Sequence, residues 1–335
     1  MYAALPARVH VHLVANCQSC RANVVANAMA SAFDELSDAF TVGGYKVGSL
    51  IARLTPAPLS QGAVALLAPG VALSLRNKRH MIERHLKRVT PSLSSLALRR
   101  ASQQAFDSYM RYYTESFRLP SLSKKYVDNH LSVDGFHHIE TALEKGKGVI
   151  VALPHLGGWE WAGRWMADRG HHMTVIVEPL NPPELFEWFA KLRSDLGMRV
   201  VPLGPEAAPA ILAALKKNEI VCLLSDRDIQ GGGVEVEFFG EKTTLPAGPA
   251  MLSLRSGAPV IPVGVYFTSK VDGHHGVVRP PVNIERVGGL RESVAAGMQA
   301  IAHELEGLIR RAPEQWHLFQ PNWPSDPGYG EHFLR

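Results

Sequence analysis

The chain has 335 residues, 46% of them hydrophobic and 20% charged, which is the composition of a folded globular protein with a large core and excludes wholesale disorder. A formal net charge of +4 selects no partner by itself, suits an anionic ligand or lipid surface, and gives no reason to expect nucleic acid. Three cysteines, Cys17, Cys20 and Cys222, argue against a disulfide framework and for a reducing compartment.

Residues 1–41 read as an N-terminal extension. Cys17 and Cys20 form a CxxC there, but no second pair completes a zinc site and no strand leads into it, so two incidental thiols and no metal are expected. The start lacks the basic-then-apolar pattern of a secretory signal. Residues 42–134 read as an amphipathic, membrane-facing helical region. Its apolar stretch "GAVALLAPGVALSL", Gly62 to Leu75, is interrupted by Pro69 and Gly70 and is shorter than the roughly 20 residues a membrane span requires. The chain is therefore expected to be cytoplasmic, with any membrane contact peripheral. Basic residues then crowd Arg76 to Arg88, with Met81, Ile82 and Leu86 as an apolar side. Such a helix can lie on an anionic membrane surface, but the plainer reading is a solvated face packed on the domain.

From residue 135 to 335 strands and helices alternate in what reads as one core, continuous with the helical region. Strands are expected at 148–153, 173–177, 198–202, 220–224, 234–239 and 259–266, with helices at 159–169, 183–196, 207–217, 246–256 and 291–311. That alternation predicts an α/β fold with a mostly parallel central sheet flanked by helices, preceded by the amphipathic helical region.

The first expected strand of this core runs into "VALPHLGGWEW", residues 151–161. His155 thereby reaches the carboxyl end of a strand, where open α/β sheets bind ligands, with an imidazole able to take a proton from a hydroxyl near neutral pH. Such a base needs a carboxylate on its other ring nitrogen. Glu160 is one candidate, brought back by a turn through Gly157 and Gly158. Asp226 and Asp228 are others, because "DRDIQGGG" follows the apolar run "EIVCLLS" at a second strand end. A salt bridge of either aspartate to Arg227 is the plainer alternative. In the following block, residues 238–263, Thr243 or Thr244 offers a hydroxyl or amide to a charged group.

These residues carry a resemblance. "HLGGWE" has the HX4E form of the HX4D/E motif of glycerolipid-type acyltransferases. "LLSDRDIQGGGVEVEFFGEKTTLPAGPAMLSLRSGAPVIPV" resembles the matching block of the bacterial lauroyl/myristoyl lipid A acyltransferases. The segment from His155 to Pro205 and the ending "PEQWHLFQPNWP" resemble the actinobacterial branch that acylates phosphatidylinositol mannosides. The likeness covers about residues 45–324. It implies transfer of a palmitoyl-like group from acyl-CoA, a co-substrate with no further cofactor, to the mannose 6-hydroxyl of a mannosylated phosphatidylinositol. It also implies His155 as general base and Asp228 as its relay carboxylate, with Asp226 as alternate. Glu178 and Arg193 match acidic and basic residues suited to mannose hydroxyls and phosphate.

In this scheme the sugar hydroxyl attacks the thioester directly, with backbone amides or Arg227 stabilising the oxyanion. Cys222, inside an expected buried strand, reads as a packed thiol. Trp159, Trp161 and Trp165 would line an acyl groove or fill the core. The competing readings are an acyltransferase for another glycolipid or lysophospholipid, and a peripheral lipid-binding protein without catalysis.

Overall fold

The computed structural model describes residues 42–334; the expected extension over 1–41, with Cys17 and Cys20, lies outside the described residues. The chain divides into two units, Met1–Lys46 and Val47–Arg335, and everything below concerns the second.

Helical residues 47–54 lead into α1 (Ala57–Ser74), α2 (Arg76–Val89), α3 (Ser95–Arg118) and a short α4 (Lys124–Asn129). Then come β1 (Leu131–Asp134), α5 (His137–Glu144), β2 (Val149–Leu153), α6 (Trp159–Asp168), β3 (Met173–Val177), α7 (Pro183–Asp195), β4 (Met198–Pro202), α8 (Ala207–Lys216) and β5 (Ile220–Leu224). A hairpin, β6 (Val234–Phe238) and β7 (Glu241–Leu245), precedes α9 (Gly248–Ser256), β8 (Val260–Phe267), β9 (His274–Val278) and α10 (Leu290–Arg310).

Seven strands form one sheet in the order β1-β9-β8-β2-β5-β3-β4, parallel throughout except where β8 meets β9. The fold is therefore α/β with a mostly parallel sheet flanked by helices. β2 is apolar at every position because it lies at the sheet's centre, covered on both faces. Its side chains alternate: Ile150 and Ala152 join the core with α8, α9 and α10, while Val149 and Val151 join Trp161, Trp165 and Met198 on the other face. Each buried Val, Ile or Leu of this strand stabilises the fold by roughly 1.5–3 kcal/mol.

Two expectations are corrected. Residues 234–239 do not join the main sheet; they pair antiparallel with β7, since only the short turn at Phe239 and Gly240 separates the two runs. Pro69 and Gly70 do not interrupt α1. The helix runs through both, carried by the alanines and leucines around them, and among the described residues it is the one helix long and apolar enough to cross a membrane by length and composition. It packs on α3, burying Ala68 and Ala72, and exposes Leu59, Leu66, Leu67 and Leu73. On α2, Arg76 is exposed, Arg79 pairs with Glu83 of the same helix, Arg84 reaches Asp326 from a half-exposed position, and only Arg88 is drawn in, to Asp326 and Glu241. The unpartnered apolar surface thus belongs to α1 and residues 47–54, not to α2.

Candidate active site

β2 and β5 are neighbours in register, with Leu153 opposite Leu224 at the end of both strands. His155 and Asp226 each lie two residues further on, so the same register that pairs the strands pairs these side chains. The ladder runs one step past the strands, where the Ser225 N–H donates to the Leu153 carbonyl at 2.9 Å. The chain then turns at Gly157, whose backbone is left-handed and where a Cβ would overlap the Val265 carbonyl. That turn launches α6.

Asp226 is fully buried, and its Oδ1 lies 2.8 Å from His155 Nδ1 while Oδ2 accepts the His155 backbone N–H at 3.0 Å. The Trp316 indole N–H donates to Oδ2 at 2.7 Å. Burial pushes the Asp226 carboxyl up, but the His155 charge and these hydrogen bonds outweigh it and hold the group below the usual carboxylate range. An ionised carboxylate can only accept, so the neutral imidazole carries its proton on Nδ1. Nε2 is left with a lone pair and no partner among the described residues, on a side chain that lines a cavity.

Asp228, the expected relay partner, does not reach the imidazole. Its Oδ1 accepts the N–H groups of Gln230 and Gly231, and its Oδ2 accepts those of Gly233 and the Thr244 hydroxyl, at 2.8–3.1 Å. Four donors on one carboxylate fix the glycine-rich loop, so the Thr244 hydroxyl is spent on Asp228, and that of Thr243 donates to the Asn322 carbonyl. Glu160 is also committed elsewhere: Arg193 Nε and Nη2 donate to its Oε1 at 2.8 and 2.6 Å, and Tyr112 donates at 3.2 Å. Burial alone would lower the Arg193 pKa, but the Glu160 charge overcomes it and keeps the guanidinium protonated. Glu178 follows β3 directly and stands 3.8 Å from Arg227, whose Nε is buried without a partner.

His155, Glu178, Arg193 and Arg227 line one cavity of about 520 Å³. Val151, Leu153, Met166, Met173 and Met198 line the same space, so a titratable pair and an aliphatic pocket share one enclosure. Of the three tryptophans near the motif only Trp159 lines it, edge-on to the His155 ring at 5.8 Å. Trp161 and Trp165 belong to the core and donate their N–H groups to the Val127 carbonyl and to Asp128. Cys222 also lines the cavity; burial, and secondarily the Glu160 charge, push its thiol up to about 12, which leaves it protonated and unsuited to nucleophilic attack.

Several contributors escaped sequence reasoning. Tyr112 comes from α3, and Trp316 and His317 come from the segment after α10. That segment pairs with the His155 turn through an antiparallel bridge between Leu156 and Trp316. His317 is buried, shares a hydrogen bond with Ser108 Oγ at 2.8 Å, and is pushed down to about 3 by burial first and by the neighbouring His155 second.

Residues 33–325 match the bacterial lipid A biosynthesis acyltransferase family. Among curated proteins, the phosphatidylinositol mannoside acyltransferase of Mycolicibacterium smegmatis is 34% identical over 287 residues, 84% of this chain and 91% of that protein. The protein of the same name from Mycobacterium tuberculosis is 37% identical over 227 residues, 66% of this chain and 70% of that protein. A lipid A biosynthesis acyltransferase of Haemophilus influenzae is 29% identical over 199 residues, covering 58% of this chain and 59% of its own.

Proposed function

We propose that this chain, which belongs to the bacterial lipid A biosynthesis acyltransferase family, moves a palmitoyl-like group from acyl-CoA to the mannose 6-hydroxyl of a phosphatidylinositol mannoside. The observation that carries the reading is the His155 and Asp226 pair, which presents a basic Nε2 to a cavity whose other lining is largely aliphatic. The acceptor follows the names of the mycobacterial relatives.

In this reading His155 Nε2 takes the proton of the mannose hydroxyl as that oxygen attacks the thioester carbonyl. Asp226 stabilises the imidazolium that forms, in the way the buried aspartate of a serine-protease triad does. The tetrahedral oxyanion meets Arg227 or a backbone amide. When it collapses the carbon–sulfur bond breaks, and the imidazolium returns its proton to the departing thiolate, giving an ester and free CoA. The thioester is already activated, so no covalent enzyme intermediate is required. Glu178 and Arg193 would meet mannose hydroxyls and phosphate, and the aliphatic part of the cavity would take the acyl chain.

The enzyme would work peripherally at the cytoplasmic leaflet, resting on the leucines that α1 exposes. The test is a transfer assay with the full chain, offering palmitoyl groups on CoA or on acyl carrier protein to mannosylated phosphatidylinositol, unmannosylated phosphatidylinositol and a lysophospholipid. Ester formed only with CoA and the mannosylated lipid supports the reading. Preference for another acceptor, or for the carrier-protein donor, overturns that part of it.

A further inference from the structure

The Asp226 carboxylate is held by more than His155. Its Oδ2 accepts the indole N–H of Trp316 at 2.7 Å as well as the His155 backbone N–H, and its own backbone carbonyl accepts from Asn322 Nδ2 at 3.1 Å. The segment carrying Trp316 and Asn322 therefore closes the back of the pair. Trp316 cannot drift from this position, because its backbone is pinned to the turn it serves. Gly157 N–H donates to the Gln315 carbonyl at 2.9 Å, and His317 N–H donates to the His155 carbonyl at 2.7 Å. The indole itself is buried against Phe239, His85 and Trp323, with ring centres 5.7–6.2 Å away.

Those contacts explain an apolar ring at this place; they do not explain why its one polar atom faces a carboxylate. A carboxylate held by one donor can rotate and present either oxygen. With Oδ2 occupied by two N–H donors, one fixed in the backbone and one in a packed indole, Oδ1 has a single direction left, toward Nδ1 of His155. We propose that Trp316 is a positioning residue for acyl transfer, its indole N–H locking Asp226 in the orientation that keeps His155 protonated at Nδ1 and basic at Nε2. The proposal rests on His155 being the base, as set out above.

The N–H can be removed while the ring stays. Trp316→Phe does so with some loss of volume. Incorporating 3-benzothienylalanine at position 316 does so at nearly constant shape, and so serves if the phenylalanine variant folds poorly. For either, kcat with palmitoyl-CoA and mannosylated phosphatidylinositol should fall about tenfold or more, the scale of loss when a catalytic group is no longer held in its productive orientation. KM for both substrates should stay unchanged. The acid limb of the pH profile should move to higher pH, because a carboxylate with one donor fewer binds the imidazolium more tightly. In an Asp226→Asn background either change should cost nothing further.

Wild-type kcat and an unmoved acid limb in the benzothienyl variant would overturn the proposal. So would a loss of activity that merely tracks a lower melting temperature and adds fully to Asp226→Asn. Retained turnover in His155→Ala would instead remove the reading beneath it, and the two failures are read from different proteins.

Discussion

Glu160 and Arg193 are locked together by two hydrogen bonds of 2.8 and 2.6 Å between the guanidinium and a single carboxylate oxygen, within a buried site that Tyr112 completes. The acid of the HX4E motif is thus an anchor between the start of α6 and the end of α7, and its partner is a cation rather than the histidine five residues before it. Removing one member of a buried ion pair leaves the other charged and unsolvated. Glu160→Ala is accordingly expected to cost about 3–5 kcal/mol of stability. Denaturant titration checks this; a midpoint unchanged from wild type would show that the pair is dispensable to the fold.

His317 gives the protein a pH-dependent stability. Its folded pKa, near 3, lies below the ordinary value of 6.5, so the unfolded chain binds a proton that the folded one refuses. The contribution is fully present above 6.5 and is lost as pH falls from 6.5 toward 3, by about 1.4 kcal/mol per pH unit at most. In His317→Gln, with no titrating ring, the slope of stability against pH across this window should flatten. Equal slopes in the two proteins, measured by denaturant midpoints, would contradict the assignment.

Gly163 of α6 lines the cavity where it faces two methionines that line it too, Met173 at the start of β3 and Met198 at the start of β4. A Cβ on Gly163 would stand 3.0 Å from Met198 Sδ and 4.0 Å from Met173 Cε. Thioether side chains can yield, so Gly163→Ala should fold while shortening the space for an acyl chain. The expected result is a fall of about tenfold in kcat/KM for palmitoyl-CoA with little change for lauroyl-CoA, the size of discrimination one methylene supplies. An unaltered chain-length profile would place the end of the acyl site elsewhere.

Membrane contact should follow the exposed leucines rather than the basic helix. Leu66 and Leu67 are 83% and 61% exposed on α1, whereas Arg84 and Arg88 are held by Asp326. A Leu66→Asp, Leu67→Asp double variant should weaken binding to phosphatidylinositol vesicles by about tenfold or more. Arg84→Glu should lower the melting temperature instead, by opposing Asp326. Flotation with vesicles separates the two outcomes, and loss of binding on charge reversal of α2 alone would reverse the assignment.

How much of this could be read beforehand depended on whether the signal was local. β2, β3, β5 and β8 stand out because strands inside a parallel sheet are continuous apolar runs, and β4, at the sheet's edge, because its valines follow a helix and a glycine; His155 is conspicuous for ending one of these runs. β1 is a four-residue edge strand and β9 begins His-His-Gly, so neither carries the continuous apolar run that marks the others. The choice among Glu160, Asp226 and Asp228 turned on strand register, which only the folded sheet settles: Leu153 opposite Leu224 carries His155 to Asp226. In retrospect the count of two residues past each strand end pointed the same way. Tyr112, Trp316 and His317 lie more than forty residues from the motif, and their approach depends on how α3 and the segment after α10 pack.

The most direct test of the account is single-turnover acyl transfer from palmitoyl-CoA to mannosylated phosphatidylinositol by His155→Ala, Asp226→Asn and Asp228→Asn, with melting temperature and acyl-CoA binding measured on the same preparations. The account predicts that His155→Ala abolishes transfer and that Asp226→Asn slows it on the order of ten-thousandfold, both with binding and folding retained. Asp228→Asn should lower stability, through its loop, more than it lowers the chemical step. Near-normal transfer by His155→Ala, or a larger chemical defect in Asp228→Asn than in Asp226→Asn, would contradict it.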